Sequence, residues 1–111
     1  MDAELHVVYK ILIKIIETKD TITYQELSDA YSARTGYSFD RRSWGGPLGE
    51  ISRRCTDKGL PPISTIVVSE GDKMPGPGYW GIPSAPPYKD SNMWSAVRKL
   101  VNAASWPPDL P

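Results

Sequence analysis

Ile63-Ser64-Thr65-Ile66-Val67-Val68 runs directly into Ser69-Glu70-Gly71-Asp72-Lys73-Met74-Pro75-Gly76-Pro77-Gly78-Tyr79-Trp80-Gly81-Ile82-Pro83. The first six residues are β-branched at five positions and read as a buried strand. The next fifteen hold four glycines and three prolines around a Tyr-Trp pair. A β-branched run followed by turn residues and then aromatics predicts a hairpin. Its tip is stiffened by Pro75 and Pro77, and Tyr79-Trp80-Gly81-Ile82 returns as the antiparallel neighbour. Gly71 and Asp72 supply the turn conformations, and residues 83–91 read as irregular.

Upstream of this hairpin the pattern is helical. Leu5, Val8, Leu12, Ile15 and Ile16 recur at helical spacing and predict an amphipathic helix over 3–18. A short turn at Lys19-Asp20-Thr21 follows. Thr23-Tyr24-Gln25-Glu26 has the spacing of a capping box, with Ile22 and Leu27 at the staple positions. It opens a second helix over about 24–34 that ends near Gly36. A third helix starts around Ser43 or Gly46, carries Pro47 in its first turn and Leu48, Ile51 and Cys55 on its apolar stripe, and stops at Gly59-Leu60. Trp94, Val97, Leu100 and Val101 mark a short final helix. Trp106 is expected to pin the Pro-rich tail, residues 105–111, to a core spanning about 3–104.

The expected architecture is therefore α+β and winged-helix-like: three helices, a β-hairpin wing and a short C-terminal helix in one domain over 1–111. In that arrangement the third helix and the hairpin tip face the same side.

The chain has 111 residues, with 40% hydrophobic and 23% charged, values suited to one soluble domain with one modest core. Thirteen basic residues balance thirteen acidic ones, so no global charge points to nucleic acid or a membrane surface. The apolar run at 7–16 contains Lys10 and Lys14 and falls short of the roughly 20 residues of a membrane span. The N-terminal Asp2 and Glu4 have the wrong charge for a secretory signal. One cysteine, Cys55, makes no internal disulfide and points to a reducing cytoplasm.

Locally the charge is uneven. From Arg34 to Lys58 there are six basic residues and three acidic ones, an excess of three that the rest of the chain offsets. Arg41, Arg42, Arg53, Arg54 and Lys58 are candidate phosphate contacts, and Lys73 is a candidate wing contact. On a helix Arg54 and Lys58 share a face with Gly46 and Glu50, while Arg53 falls on the flank. The bland alternative is a solvated face carrying pairs such as Glu50-Arg54. Trp44, Tyr79 and Trp80 are candidate aromatic contacts. For Trp44, burial as an anchor of the third helix is the competing reading.

Four segments together resemble a known domain. They are Thr21-Ile-Thr-Tyr-Gln-Glu-Leu-Ser-Asp-Ala30, Arg42-Ser-Trp-Gly-Gly-Pro-Leu48, Leu60-Pro-Pro-Ile-Ser-Thr-Ile-Val-Val68 and Gly76-Pro-Gly-Tyr-Trp-Gly81. In order and spacing over about 19–82 they resemble the winged-helix domain of the O6-alkylguanine-DNA alkyltransferases and alkyltransferase-like proteins. The resemblance implies a DNA partner and gives Arg42 the place of the family arginine that enters the DNA stack. It implies no alkyl transfer, because the family's Pro-Cys-His-Arg segment is Pro62-Ile63-Ser64-Thr65 here. Cys55 and the only histidine, His6, belong to different helices, whereas a reactive cysteine needs its histidine beside it. The chain is also similar to small uncharacterised bacterial and phage proteins in its Gly-Pro-Leu-Gly and Pro-Gly-Pro-Gly-Tyr segments.

Other chemistry finds little support. One His and one Cys supply no metal site, and no cofactor motif is present. Glu70-Gly71-Asp72-Lys73 has nuclease-type residues, but its turn glycine suits a loop. The glycines at 71–81 do not open a helix, as a phosphate loop would. The sequence thus predicts a non-catalytic DNA-binding protein that uses the third helix and the hairpin. The alternative is a protein–protein interaction module, such as a small inhibitor or adaptor, with Tyr79, Trp80, Tyr88 and the Pro-rich loop as its surface.

Overall fold

A computed structural model describes residues 3–18 and 20–111. Asp2 and the turn position expected at Lys19 lie outside them. The elements are α1 (Leu5–Glu17), β1 (Ile22–Thr23), α2 (Tyr24–Thr35), α3 (Gly45–Asp57), β2 (Val67–Val68) and α4 (Ser91–Ala103), with 3-10 turns at Arg41–Ser43 and Ile63–Ile66. The fold is α+β: four helices around a two-stranded parallel sheet, in which Ile22 pairs with Val67 and Thr23 with Val68. No helix among the described residues is long and apolar enough to cross a membrane.

The helices form where local signals and burial agree. α1 buries Val8, Tyr9, Ile11, Leu12 and Ile16. α2 opens on the full capping box, with Glu26 N donating to Thr23 Oγ1 at 3.1 Å and Thr23 N donating to Glu26 Oε1 at 3.0 Å. It closes on Gly36 at φ 76°, a left-handed conformation that a side chain would strain. α3 buries Leu48, Ile51, Ser52 and Cys55. It ends in a complete Schellman motif: Leu60 N donates to Cys55 O and Gly59 N to Thr56 O, each at 3.0 Å.

The expected hairpin does not form. Residues 63–66 are a 3-10 turn, only Val67 and Val68 are strand, and their partner is the segment before α2, in parallel. Residues 79–82 are turns, not a second strand. The physical reason lies in two hydroxyls. Thr65 donates through both its backbone N, at 3.2 Å, and its Oγ1, at 2.7 Å, to Pro62 O. Ser64 N donates to Ser52 Oγ at 3.0 Å. These side-chain bonds satisfy the backbone that a strand ladder would otherwise use. Burial on all sides makes the run β-branched without making it extended.

Residues 69–90 are instead held by side chains together with backbone turn bonds, among them Tyr79 N to Gly76 O at 3.1 Å and Gly81 N to Pro86 O at 2.8 Å. Ser69 N donates to Met74 O at 2.9 Å, the one backbone bond that closes the turn. Asp72 organises it, accepting from Ser69 Oγ at 2.5 Å, from Met74 N at 3.0 Å and from Lys89. The Lys89 ammonium, with Ser69 and Met74 N, holds the Asp72 carboxyl well below the usual range. The left-handed turn residue is Lys73, at φ 57°, rather than Gly71 or Asp72. Further along, Trp80 Nε1 donates to Pro75 O at 3.2 Å, and Trp94 Nε1 reaches from α4 to Thr65 O at 2.9 Å. The tail is fixed similarly, through Trp106 Nε1 to Val101 O at 2.9 Å and Tyr9 Oη to Pro107 O at 2.6 Å.

Candidate functional site

A cavity of about 540 Å³ opens where three segments meet: the start of α2, the N-terminal half of α3, and the loop after β2. Tyr24, Leu48 and Tyr79 give it apolar walls. Gly45, Gly49, Gly76 and Gly78 expose backbone along it, so a flat ligand could approach the chain closely. The glycines also bring the walls together. A Cβ on Gly76 would lie 3.2 Å from Tyr24 Oη, and one on Gly78 would lie 3.6 Å from Gly45 Cα.

Ser64 and Tyr24 are among the hydroxyl residues that line this space. Ser64 is buried on the floor, where its Oγ accepts from Ser52 Oγ at 2.6 Å. Ser52 Oγ in turn accepts from Ser64 N. The Ser64 hydroxyl hydrogen is left to point into the cavity as a donor. Tyr24 Oη accepts from Gly76 N at 2.7 Å, which likewise leaves its hydrogen to give. Burial raises the Tyr24 pKa, so it stays a donor at neutral pH. Tyr24→Phe should remove the acceptor for Gly76 N and lower stability by about 1–2 kcal/mol. Amide exchange at Gly76 should accelerate with it; unchanged exchange there would show that the loop does not depend on this bond.

At the mouth stand Arg41 and Arg42, both exposed, with Glu70 as the one carboxylate among the lining residues. Arg41 carries no ion pair among the described residues. Arg42 is clamped by Asp40: its Nε donates to Oδ1 at 3.2 Å and its Nη2 to Oδ2 at 3.0 Å. That fork lowers the Asp40 carboxyl to about 2. The Arg42 side chain is still 81% exposed. To reach a ligand it must turn away from Asp40.

The remaining basic residues separate. At 100° per residue, Arg53 lies about 40° around α3 from the cavity-lining Gly49, and Arg54 about 140° from it. Arg53 therefore continues the cavity side, paired with Glu50. Arg54 faces the tail, where its Nε donates to Pro111 O at 2.7 Å. Lys58 is exposed beyond the end of α3, and Lys73 is exposed on the turn at 69–74.

The aromatic candidates are mostly internal. Trp44 has no exposed surface; its Nε1 donates to Ser28 Oγ at 2.8 Å, and its ring packs edge-on to Tyr31 and 4.2 Å from Phe39. It anchors α3 and offers nothing to a ligand. Tyr79 is buried with its hydroxyl 2.8 Å from Thr65 Oγ1, showing the cavity only part of its ring. Trp80 is half-buried and stacks edge-on against Tyr79. Tyr88 remains exposed.

Cys55 is wholly buried, and burial pushes its thiol up to about 11, the reverse of an activated nucleophile. The sequence reading had passed over Tyr24, Ser52 and Ser64. Tyr24 sat inside a capping motif, and the two serines lie twelve residues apart with no shared pattern. No protein-family model, curated protein or solved structure matches this chain.

Proposed function

We propose that this is a non-catalytic DNA-binding protein, in which the cavity at the start of α3 receives an unstacked nucleotide and Arg41 and Arg42 meet the flanking phosphates. The observation that carries this reading is the juxtaposition of two exposed guanidinium groups with an apolar, glycine-lined cavity. Unstacked bases are held by flat apolar walls and hydrogen bonds, and the backbone beside them by cations. Tyr24 and Ser64 would donate to acceptor atoms of a base; Arg53 and Lys73 would extend the phosphate track. The winged-helix reading belongs with this proposal, with the irregular loop 69–90 in the place of the wing. The resemblance to the alkyltransferase-like domain supports it through Arg42 and the Gly76-Pro-Gly-Tyr-Trp-Gly81 segment. The absence of a paired, activated cysteine supports binding without reaction.

The test uses duplex DNA carrying 2-aminopurine, whose fluorescence rises on unstacking. Binding at low salt should be accompanied by that rise. Arg41→Ala and Arg42→Ala should each weaken binding about tenfold and lower the slope of log K against log salt by about 1. No affinity for single- or double-stranded DNA at low salt would end the proposal. Affinity without a fluorescence change would remove the cavity from it.

A further inference from the structure

α1 and α3 present a second basic face, on the other side of α3 from the cavity. Lys10 of α1 and Arg54 of α3 border one hollow of about 490 Å³, with His6 beside them. The tail makes one contact with each of the two cations. Asp109 Oδ1 lies 3.3 Å from Lys10 Nζ, and Pro111 O accepts from Arg54 Nε at 2.7 Å. A carboxylate and a carbonyl oxygen thus stand where phosphate or sulfate oxygens would bind the same two cations. The tail is held there by anchors that are independent of the charges: Tyr9 Oη to Pro107 O, Trp106 Nε1 to Val101 O, and Leu110 packed against the core.

We propose that the Lys10–Arg54 face is a polyanion-binding surface that residues 109–111 hold closed. While the tail is seated, Asp109 offsets one charge and Pro111 O takes one donor of the other, which weakens polyanion contact on this face. This goes beyond the DNA reading, since any polyanion tests it. Proline at 107, 108 and 111 limits the freedom the tail must give up to stay seated, so the closed state is cheap to hold.

The experiment compares the full chain with a chain ending at Pro108, which keeps Trp106, Pro107 and their hydrogen bonds. Heparin-column elution and duplex binding are measured on both, and thermal melts check that the shorter chain is folded. The shorter chain should elute from heparin at higher salt. If the full chain binds duplex, the shorter one should show a log K against log salt slope steeper by about 1 to 2, one step for each cation released. Asp109→Asn in the full chain should give part of this, and Lys10→Ala with Arg54→Ala in the shorter chain should abolish it. Equal elution of full and shortened chains would overturn the proposal, as would a gain that survives loss of Lys10 and Arg54. A heparin gain with no duplex binding by either chain would keep this inference and end the DNA reading.

Discussion

Trp44→Ala should lower stability by about 3–5 kcal/mol, the range for deleting a large buried aromatic side chain. The indole has no exposed surface and joins three elements at once. Its Nε1 reaches Ser28 in α2, its ring meets Tyr31 of α2 edge-on, and Phe39 from the connecting segment lies 4.2 Å away. Alanine would leave a cavity between α2 and α3 and strand the Ser28 hydroxyl. For a small domain with about 5–15 kcal/mol in total, that is roughly a fifth or more. The melting temperature should fall by about 15 °C or more. Trp44→Phe should cost about 1–3 kcal/mol, chiefly through the unpaired Ser28. Denaturant titration checks both. A Trp44→Ala protein with a wild-type midpoint would mean that α3 is not anchored through this ring.

Alkaline pH should unfold the protein between about pH 10 and 12. Burial pushes the hydroxyls of Tyr9 and Tyr79 up to about 12 from an ordinary 10.0. Both groups are almost fully inaccessible. The sign follows from where the protons are. Below pH 10 both states hold these protons and the two tyrosines leave stability unchanged. Above pH 10 the unfolded chain releases them while the folded chain keeps them, so each further unit favours unfolding by up to about 1.4 kcal/mol per tyrosine. The loss levels off near pH 12, at about 2–3 kcal/mol for each. Tyr9→Phe and Tyr79→Phe should each flatten the curve of stability against pH in this window. Both would lower the neutral-pH value by about 1 kcal/mol for the lost hydrogen bond. Denaturation midpoints that stay level from pH 9 to 11.5 would contradict the burial of both hydroxyls.

The same residues show which parts of the fold were legible. The first three helices were expected within about two residues of their places, because caps, stops and apolar faces are local signals. Thr23 and Glu26 lie three residues apart, and Cys55 and Leu60 five. The strand at 63–66 was misread because buried β-branched residues look alike in a strand and in a 3-10 turn. What separates the two is the Ser52 hydroxyl, twelve residues away and one helix earlier. The returning strand at 79–82 failed for a related reason: Tyr79 and Trp80 spend their polar side-chain atoms on Thr65 and Pro75, and the backbone bonds there close local turns. Within the candidate site, Arg41 and Arg42 were legible as adjacent charges. Tyr24, Ser64 and the facing glycines were not, since their meeting depends on the loop folding back over α3.

The sequence by itself determined the four helices of the described residues, an α+β class, a cysteine on the apolar stripe of α3 and a local excess of basic charge. Those follow from spacing within a turn or two of helix. Only the tertiary structure decided that the small sheet is parallel, and that the glycine- and proline-rich loop is a wall of a cavity and not a hairpin. It alone decided that Arg53 lies toward the cavity and Arg54 under the tail. Hydrogen bonds between residues far apart in the chain make those choices, and no local pattern encodes them.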